Sequence, residues 1–176
     1  MNRAAIVGMS LSGKSTLAKH ISQKYWTHHQ MRSFVLDPNE EKYGPHALVF
    51  GNDREEQFWD VVWKAENSLI IVDEAAETIN RDKTLIPVFT RLRHKKHKLI
   101  VIAHHATNLL PVMRDQIDTL YMFRQSEKNA SFFAESFAKP ELLKAPELAQ
   151  YHYFFVTLYG TPRILKTEPF TENISK

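Results

Sequence analysis

The feature that most restricts the fold of this chain is a short segment near its start, "GMSLSGKS", residues Gly8 to Ser15. It matches the pattern G-x-x-x-x-G-K-[ST] at every fixed position. It follows the apolar run Ala4 to Val7, and it opens a segment in which apolar residues recur at helical spacing. A strand, a glycine-rich turn and a helix in this order direct successive backbone N–H groups at one point. The segment therefore predicts a phosphate-binding loop in an α/β fold.

Each residue type in this loop has a chemical reason to be there. Glycine lets the backbone curl, Lys14 brings a mobile positive charge to the outer phosphates, and Ser15 offers a hydroxyl oxygen suited to Mg²⁺. The alternative is a glycine-rich turn that opens an ordinary helix, but the strand and helix that flank it favour a nucleotide site. We therefore predict ATP and Mg²⁺ as ligands, bound by Gly8, Met9, Ser10, Leu11, Ser12, Gly13, Lys14, Ser15 and Thr16.

Buried runs alternate with amphipathic segments along the rest of the chain, which predicts a mostly parallel sheet with helices on both faces. A closing pair of strand-like runs around Gly160 predicts a C-terminal β-hairpin. We expect one domain over residues 1–176, with a core of about 3–166 and a loose tail over 167–176. The expected buried runs are "SFVL", "ALVF", "SLIIV", "KLIVIA" and "DTLYMF", and a further helix is expected on the stripe Leu85, Val88, Phe89 and Leu92.

The composition fits a globular domain in a reducing compartment. The chain is 43% hydrophobic and 24% charged, and it has no cysteine, which excludes disulfides and thiolate metal sites. A cytoplasmic location is the simplest expectation. No apolar run approaches the about 20 residues needed to span a membrane, so no membrane span is expected. A formal net charge of +3 permits an anionic partner without requiring one.

Two carboxylates follow the third of these buried runs. Asp73, at the end of the predicted strand, is placed to hold Mg²⁺ through water, and Glu74 is placed to orient and deprotonate an attacking water. Alternatively, both acids only cap the helix that follows. The nearby phosphate loop favours the first interpretation. An acid that activates water indicates hydrolysis rather than phosphoryl transfer to a small molecule.

The next strand ends in two histidines. In ATPases of this general build, a polar side chain at that strand tip touches the γ-phosphate or the attacking water. His104 directly follows the strand and is our candidate, with His105 as the alternative. One of the two can equally be a surface residue at the start of a loop.

Arginines precede this strand, and two of them are candidates for a catalytic role. Phosphoryl transfer gains about 10³–10⁵ in rate from an arginine offered to the developing charge across an interface. Arg91 and Arg93 lie at the expected end of a helix, a position that suits a subunit edge. The alternative is that they only complement the helix dipole.

Together these residues resemble the FtsK–HerA superfamily of P-loop ATPases, over about Arg3 to Lys166. Within it the chain is most similar to the genome-packaging ATPases of tailless, membrane-containing viruses and to the related filamentous-phage assembly ATPases. The resemblance implies a sheet of the additional-strand, catalytic-glutamate type. The family often has glutamine where this chain has His104. The segments that carry the resemblance are "GMSLSGKST", "FVLDPNEE", "LIIVDEA", "FTRLRHKKHKLIVIAHH" and "LLPVMRDQIDTLYMFR", with the closing hairpin.

The resemblance also implies a function and partners. It implies an ATP-driven motor that threads double-stranded DNA and packages a viral genome into a preformed capsid. It further implies a homo-oligomeric ring, a hexamer in such motors, with ATP at each subunit boundary and capsid or portal-vertex proteins as partners. The basic run from Arg91 to Lys98 could contact DNA phosphates independently of base sequence, or it could be a solvated turn.

Two other functions compete with this prediction. A small P-loop kinase for a nucleotide or metabolite would fit the chain length, with Asp37 near its acceptor substrate. Against it stand the paired acids Asp73 and Glu74 and the absence of an arginine-rich lid segment. The second alternative is a nucleotide-binding module without turnover that scaffolds an assembly.

Overall fold

The computed structural model describes residues 2–74, 92–109 and 111–170, with the side chains of Arg93, Thr107 and Val112 excepted. Eight strands in this part of the chain form one sheet in the order β3-β2-β4-β5-β1-β6-β7-β8. The strands are β1 Arg3–Val7, β2 Ser33–Leu36, β3 Ala47–Phe50, β4 Leu69–Val72, β5 Lys98–Ala103, β6 Thr119–Phe123, β7 His152–Thr157 and β8 Arg163–Lys166.

The helices of the described residues lie between these strands. The α-helices are α1 Lys14–His29, α2 Glu55–Lys64, α3 Pro111–Arg114 and α4 Glu127–Phe137. Short 3₁₀ helices cover Asn52–Arg54, Leu92–Lys95, Ala106–Asn108 and Pro140–Glu147. No helix among the described residues is long and apolar enough to cross a membrane.

The order of the strands brings three strand ends together. Strand β5 pairs in parallel with both β1 and β4, so it separates the strand before the phosphate loop from the strand before Asp73. Parallel strands end at the same edge, and ligands of open α/β sheets bind there. The predicted α/β fold, with its additional strand and its C-terminal hairpin of β7 and β8, is confirmed.

The core lies on both faces of the sheet, which explains why the strands read as continuous apolar runs. On one face, α1 packs Leu17 and Ala18 against Ile6 of β1 and Ile102 of β5. On the other face, residues from α2 and α4 pack against the alternate positions of the same sheet, among them Phe58, Val62, Phe133, Val72 and Met122.

Two details depart from the sequence pattern. Helix α2 begins after a 3₁₀ turn with Arg54 at its N-cap, and no described side chain there bonds the helix, although Asn52 and Asp53 offered caps. In the segment expected to be a loose tail from residue 167, Thr167 is buried, and the carbonyl oxygen of Glu168 lies 2.8 Å from the imidazole Nε2 of His20. Of the helix expected on Leu85, Val88, Phe89 and Leu92, the first three residues lie outside the described residues, and Leu92 is buried at the start of the 3₁₀ helix Leu92–Lys95.

Candidate nucleotide-binding site

The loop between β1 and α1 is anchored at both of the strands that flank β1. The backbone N–H of Gly8 donates to the carbonyl of Ala103 at 3.3 Å, and that of Met9 donates to the carbonyl of Arg124 at 3.1 Å. Gly13 is the N-cap of α1, with φ at 109°, and no described side chain caps the first turn. The first N–H groups of α1 therefore remain available to an anion, and the helix dipole favours one there.

Both glycines of the loop stand where a side chain has no room. A Cβ on Gly8 would lie 2.6 Å from the Cβ of Phe123, and one on Gly13 would lie 2.8 Å from the Tyr151 ring. The positive φ of Gly13 adds strain for any other residue. The close approach of Phe123 and Tyr151 to the loop thus explains both glycines.

Alanine at Gly8 or Gly13 is expected to destabilise the protein by about 1–3 kcal/mol, because the core behind the loop has to shift. Nucleotide affinity should fall with it, since the amides lose their arrangement. Gly51→Ala is the matched control: its Cβ would meet only the mobile ends of Asp53 and Glu40. Urea unfolding of the three variants checks this. Equal stability of Gly8→Ala and wild type would contradict the packing argument.

Lys14 reaches back over the loop from the first turn of α1. Its side chain is largely buried, its Nζ donates to the carbonyl of Met9 at 3.0 Å, and it lies 3.4 Å from Nδ1 of His104. Burial lowers the pKa of the Lys14 ammonium, while the charges of Asp73 and Glu74 act in the opposite direction. The lysine is thus held at the place where strands β1, β4 and β5 end.

Ser15 and Asp73 supply two oxygens to the same place. The Ser15 hydroxyl lies 3.4 Å from Oδ2 of Asp73, whose Oδ1 accepts the backbone N–H of Glu74 at 2.8 Å. Hydroxyl and carboxylate oxygens suit Mg²⁺. Within the described residues no group of three or more His, Asp or Glu side chains could hold a metal ion. A magnesium ion here would therefore need oxygens from phosphate and water as well.

The ionised form of the Asp73 carboxyl is disfavoured by its burial. Burial raises the pKa of its carboxyl to about 6, although the bond from Glu74 lowers it and the charge of Asp37 raises it further. A buried carboxylate of this kind lowers the stability of the folded protein at neutral pH. A cation that binds beside it would offset this loss of stability.

Asp73→Asn is expected to stabilise the nucleotide-free protein at pH 8 by up to about 3 kcal/mol, since the pKa of Asp73 rises from 3.8 to about 6 on folding. The folded protein binds the Asp73 proton more tightly, so this difference should shrink as pH falls through 6 and vanish below about 4. Urea unfolding at pH 8 and pH 4 measures it. A variant less stable than wild type at pH 8 would contradict the burial cost.

Glu74 follows Asp73 in a left-handed backbone conformation, with φ at 48°. This conformation is uncommon for a residue with a side chain, and it occurs often at functional sites. The side chain is half-buried. Burial lowers the pKa values of Lys14 and His104, and the charge of Glu74 acts against this lowering in both. Its carboxylate therefore lies close to the predicted phosphate position.

The two histidines after β5 have different surroundings. His104 faces Lys14, whereas Nδ1 of His105 lies 2.9 Å from the amide nitrogen of Asn129 on α4. Gln125 donates to the carbonyl of His104 at 3.0 Å and accepts from Asn129 at 3.1 Å, so these two buried amides fix the turn. Burial lowers the pKa of His104, and the Lys14 charge lowers it further. The imidazole of His104 is therefore neutral near pH 7.

Asp37 and Tyr43 are buried residues that interact electrostatically with Asp73. Asp37 is fully buried, and its two carboxylate oxygens accept the backbone N–H groups of Asn39 and Glu41 at 2.9 and 3.0 Å. The Tyr43 hydroxyl is buried without a partner among the described residues. Burial and then the charges of Asp73, Asp37 and Glu41 raise the pKa of Tyr43. No sequence pattern pointed to Tyr43, because only the fold brings it behind the site.

A cleft of about 470 Å³ extends from the phosphate loop toward the start of β7. Its wall includes Gln150 and Tyr151, which also hold the loop: Gln150 donates to the carbonyl of Leu11 at 3.1 Å, and the Tyr151 N–H donates to that of Ser12 at 3.2 Å. No sequence motif pointed to these two residues. The cleft is lined by Leu11, Gly13, Lys14, Ser15, Thr16, Glu41, Gln150 and Tyr151.

The two predicted arginines lie at the edge of the described part of the chain. Arg91 lies outside the described residues. Arg93 falls in the 3₁₀ helix Leu92–Lys95, and its side chain is not among those described. Their role across a subunit boundary therefore stays a prediction.

No protein-family model matches the sequence, and no curated protein matches it. Solved structures do match. The genome packaging NTPase B204 from Sulfolobus turreted icosahedral virus 2, in complex with AMPPCP, aligns with a TM-score of 0.74 at 21% identity, covering 96% of this chain and 98% of that one. VirB4 of Thermoanaerobacter pseudethanolicus aligns with a TM-score of 0.70 at 11% identity, covering 97% and 90%. The type VII secretion ATPase EccC of Thermomonospora curvata aligns with a TM-score of 0.70 at 13% identity, covering 97% of this chain and 24% of that one. These likenesses confirm, at the level of the fold, the resemblance predicted from the sequence.

Proposed function

We propose that this chain, which has the fold of those P-loop ATPases, is an ATP-hydrolysing motor that moves double-stranded DNA and packages a viral genome into a capsid. The observation that carries the hydrolytic part is the convergence of Lys14, Ser15, Asp73 and His104 at one edge of the sheet, beside the open N-terminus of α1. The likeness to B204, described as a genome packaging NTPase, supports the packaging role.

In this proposal the amides from Met9 to Ser15 bind the phosphates, and Lys14 exchanges its bond to the Met9 carbonyl for an outer phosphate oxygen. Ser15 and Asp73 would hold Mg²⁺, which when bound would neutralise part of the phosphate charge. The cleft beside Gln150 and Tyr151 takes the nucleoside. The loop amides and Lys14 thus bind the triphosphate with its terminal phosphorus facing Glu74.

Hydrolysis then depends on Glu74 and His104. Glu74 orients a water for in-line attack on the terminal phosphorus and accepts a proton from that water. ADP leaves as the bond between its bridging oxygen and the terminal phosphorus breaks. Neutral His104 contacts the terminal phosphate or the attacking water at the tip of β5. An arginine of a neighbouring subunit, Arg91 or Arg93, stabilises the developing charge in a ring, which we propose to be a hexamer.

Contact with DNA is assigned to the basic run that precedes β5. His94 and Lys96 are exposed, but His97 is buried and accepts the backbone N–H of Ser68, and Lys98 donates to Asn2 at 2.6 Å. Among the described side chains of the run, His94 and Lys96 are therefore the candidates for contact with phosphates. Such contacts would be to the DNA backbone and independent of base sequence.

Turnover without an acceptor substrate tests this proposal. Purified protein should hydrolyse ATP with Mg²⁺ alone, and duplex DNA should raise the rate as protein concentration rises and subunits meet. Stimulation by a nucleoside with no response to DNA would instead support a kinase. ADP and ATP binding with no turnover under any of these conditions would support a scaffold.

The kinase alternative loses one of its supports in the structure. Its acceptor-side residue was Asp37, yet this carboxylate is fully buried and both of its oxygens accept backbone N–H groups. A carboxylate used in this way closes the turn after β2 rather than facing a substrate.

His104→Ala is expected to lower kcat by about 100-fold, the typical effect of losing one group that stabilises transition-state charge. His104→Gln should retain most of the activity, because an amide can also bond phosphate. His105→Ala is the control, since His105 contacts Asn129 on the far side of the turn. Steady-state ATP hydrolysis of the three variants decides the assignment. A larger loss in His105→Ala would give the role to His105.

A further inference from the structure

Two buried amide side chains connect the end of β5 with the start of α4. Gln125 is 1% exposed and Asn129 is 8% exposed. The amide nitrogen of Gln125 lies 3.0 Å from the carbonyl oxygen of His104. The amide nitrogen of Asn129 lies 3.1 Å from Oε1 of Gln125 and 2.9 Å from Nδ1 of His105. Buried amides need hydrogen-bond partners, and these two find them in each other and in the two histidines. We call Gln125 and Asn129 the amide pair.

The amide pair forms because of how α4 begins. Ser126 is the N-cap of the helix, and its hydroxyl accepts the backbone N–H of Asn129 at 3.4 Å. Asn129 is therefore the third residue of α4. Side chains of a helix lean toward its N-terminus, which directs the Asn129 amide back toward Gln125, the residue just before the cap.

The directions of the hydrogen bonds in the amide pair follow from the His104 carbonyl. A carbonyl oxygen can only accept, so the group of Gln125 that faces it must be the NH₂. Oε1 of Gln125 then faces Asn129, which must present its own NH₂, and the two hydrogens of that group go to Gln125 and to Nδ1 of His105. Nδ1 of His105 is therefore an acceptor, and the ring proton of His105 lies on Nε2.

The phosphate loop is held beside the amide pair by backbone groups alone. The carbonyl of Arg124, the residue before Gln125, accepts the backbone N–H of Met9, and the carbonyl of Ala103 accepts that of Gly8. Substitution of a side chain leaves these bonds in place. The carbonyl of His104, by contrast, is held by the side chain of Gln125. Loss of the amide pair should therefore disturb His104 more than the loop.

His104 is the residue through which such a disturbance reaches the chemistry. Its Nδ1 lies 3.4 Å from Nζ of Lys14, at the place where the terminal phosphate is expected. The position of this ring depends on the backbone that carries it. A group misplaced by about 1 Å in an active site can cost about 100-fold in rate.

We propose that Gln125 and Asn129 are positioning residues for ATP hydrolysis, which act by holding the His104 carbonyl and thereby the imidazole at the terminal phosphate. Neither residue contacts the nucleotide in this role. The inference deepens the proposed function, on which it rests for the reaction itself. It makes the first turn of α4 a part of the hydrolytic site.

Removal of the amide pair should separate catalysis from binding. Gln125→Met removes both hydrogen bonds at nearly constant side-chain length, and kcat should fall by about tenfold, the most that one neutral hydrogen bond contributes. Affinity for a non-hydrolysable ATP analogue should stay within about twofold of wild type. Asn129→Ala should lower kcat in the same direction by a smaller factor, and it provides a second variant should Gln125→Met fail to fold.

Ser68→Ala is the matched control for a lost buried hydrogen bond. Ser68 is buried just before β4, at the opposite end of that strand from Asp73, and its hydroxyl donates to the carbonyl of Glu66 at 2.9 Å. This variant should lose stability and keep the kcat of wild type. A fall in kcat equal to that of Gln125→Met would mean that lost stability alone explains the effect, which would overturn the proposal.

A double variant tests whether the effect passes through His104. When Gln125→Met is added to His104→Ala, kcat should fall no further, because the ring that the amide pair positions is already absent. A further tenfold fall would overturn the proposal, since the amide pair would then act on another group. Unchanged kcat in Gln125→Met alone, or a loss of affinity that accounts for the whole effect, would overturn it as well.

The ring nitrogens of His105 report on the amide pair without any nucleotide. In ¹⁵N NMR spectra of wild type, the His105 proton should lie on Nε2, and in Asn129→Ala this preference should be lost. A proton on Nδ1 in wild type would overturn the proposed direction of the hydrogen bonds. Failure of the proposed function is a different result, namely a wild type that binds ATP and does not hydrolyse it.

Discussion

Lys14→Ala is expected to abolish ATP hydrolysis and to weaken Mg²⁺-ATP binding by about 10- to 100-fold. The ammonium group is largely buried beside the loop carbonyl of Met9 and the imidazole of His104, where an outer phosphate oxygen would take over its bonds. A charged hydrogen bond at such a place contributes about 1.5–3 kcal/mol, which corresponds to this loss of affinity. Isothermal titration with a non-hydrolysable ATP analogue measures it.

Lys64→Ala is the matched control for this variant. Lys64 is an exposed lysine at the end of α2, paired with Asp60 on the surface. Its replacement should leave affinity and turnover unchanged. If Lys14→Ala bound the nucleotide as tightly as Lys64→Ala, the loop between β1 and α1 would not be the phosphate site.

Glu74→Gln is expected to preserve ATP binding and to lower kcat by about 10²–10⁴-fold. The amide can occupy the same space beside Lys14 and His104, but it cannot take a proton from water, and general base catalysis has an effect of this size. The two effects are separated by measuring nucleotide affinity at equilibrium and single-turnover hydrolysis on the same protein.

Glu66→Gln controls for the change of charge, because Glu66 is exposed in the turn before β4. Its turnover should equal that of wild type. Normal hydrolysis by Glu74→Gln would move the base to another residue, whereas a parallel loss of affinity would mean that Glu74 holds the ligand rather than the attacking water.

The sheet was predictable from the sequence because its central strands are buried on both faces. Runs such as Leu69–Val72 contain nothing but apolar residues, so each run is visible without knowledge of its neighbours. The loop residues Gly8, Lys14 and Ser15 were predictable for a related reason, since phosphate binding by a strand, a turn and a helix is a local arrangement. The acids after β4 followed from their position at a strand end.

Residues that reach the site across the fold carried no such signal. Tyr151 contacts the loop from just before β7. Gln125, which follows β6, and Asn129 of α4 fix the turn after β5. Their positions depend on strand order, which a single sequence does not reveal. The neighbours Tyr121, Phe155 and Arg163 are of the same kind, because only the pairing of β6, β7 and β8 brings them together.

A crystal structure with Mg²⁺ and a non-hydrolysable ATP analogue tests the central claim most directly. We expect the triphosphate to lie on the amides from Met9 to Ser15, with Lys14 on its outer oxygens, the metal beside Ser15 and Asp73, and the Glu74 carboxylate facing the terminal phosphorus. A nucleotide bound elsewhere, or a Glu74 side chain turned away from that phosphorus, would contradict the proposal that this chain hydrolyses ATP at this edge of its sheet.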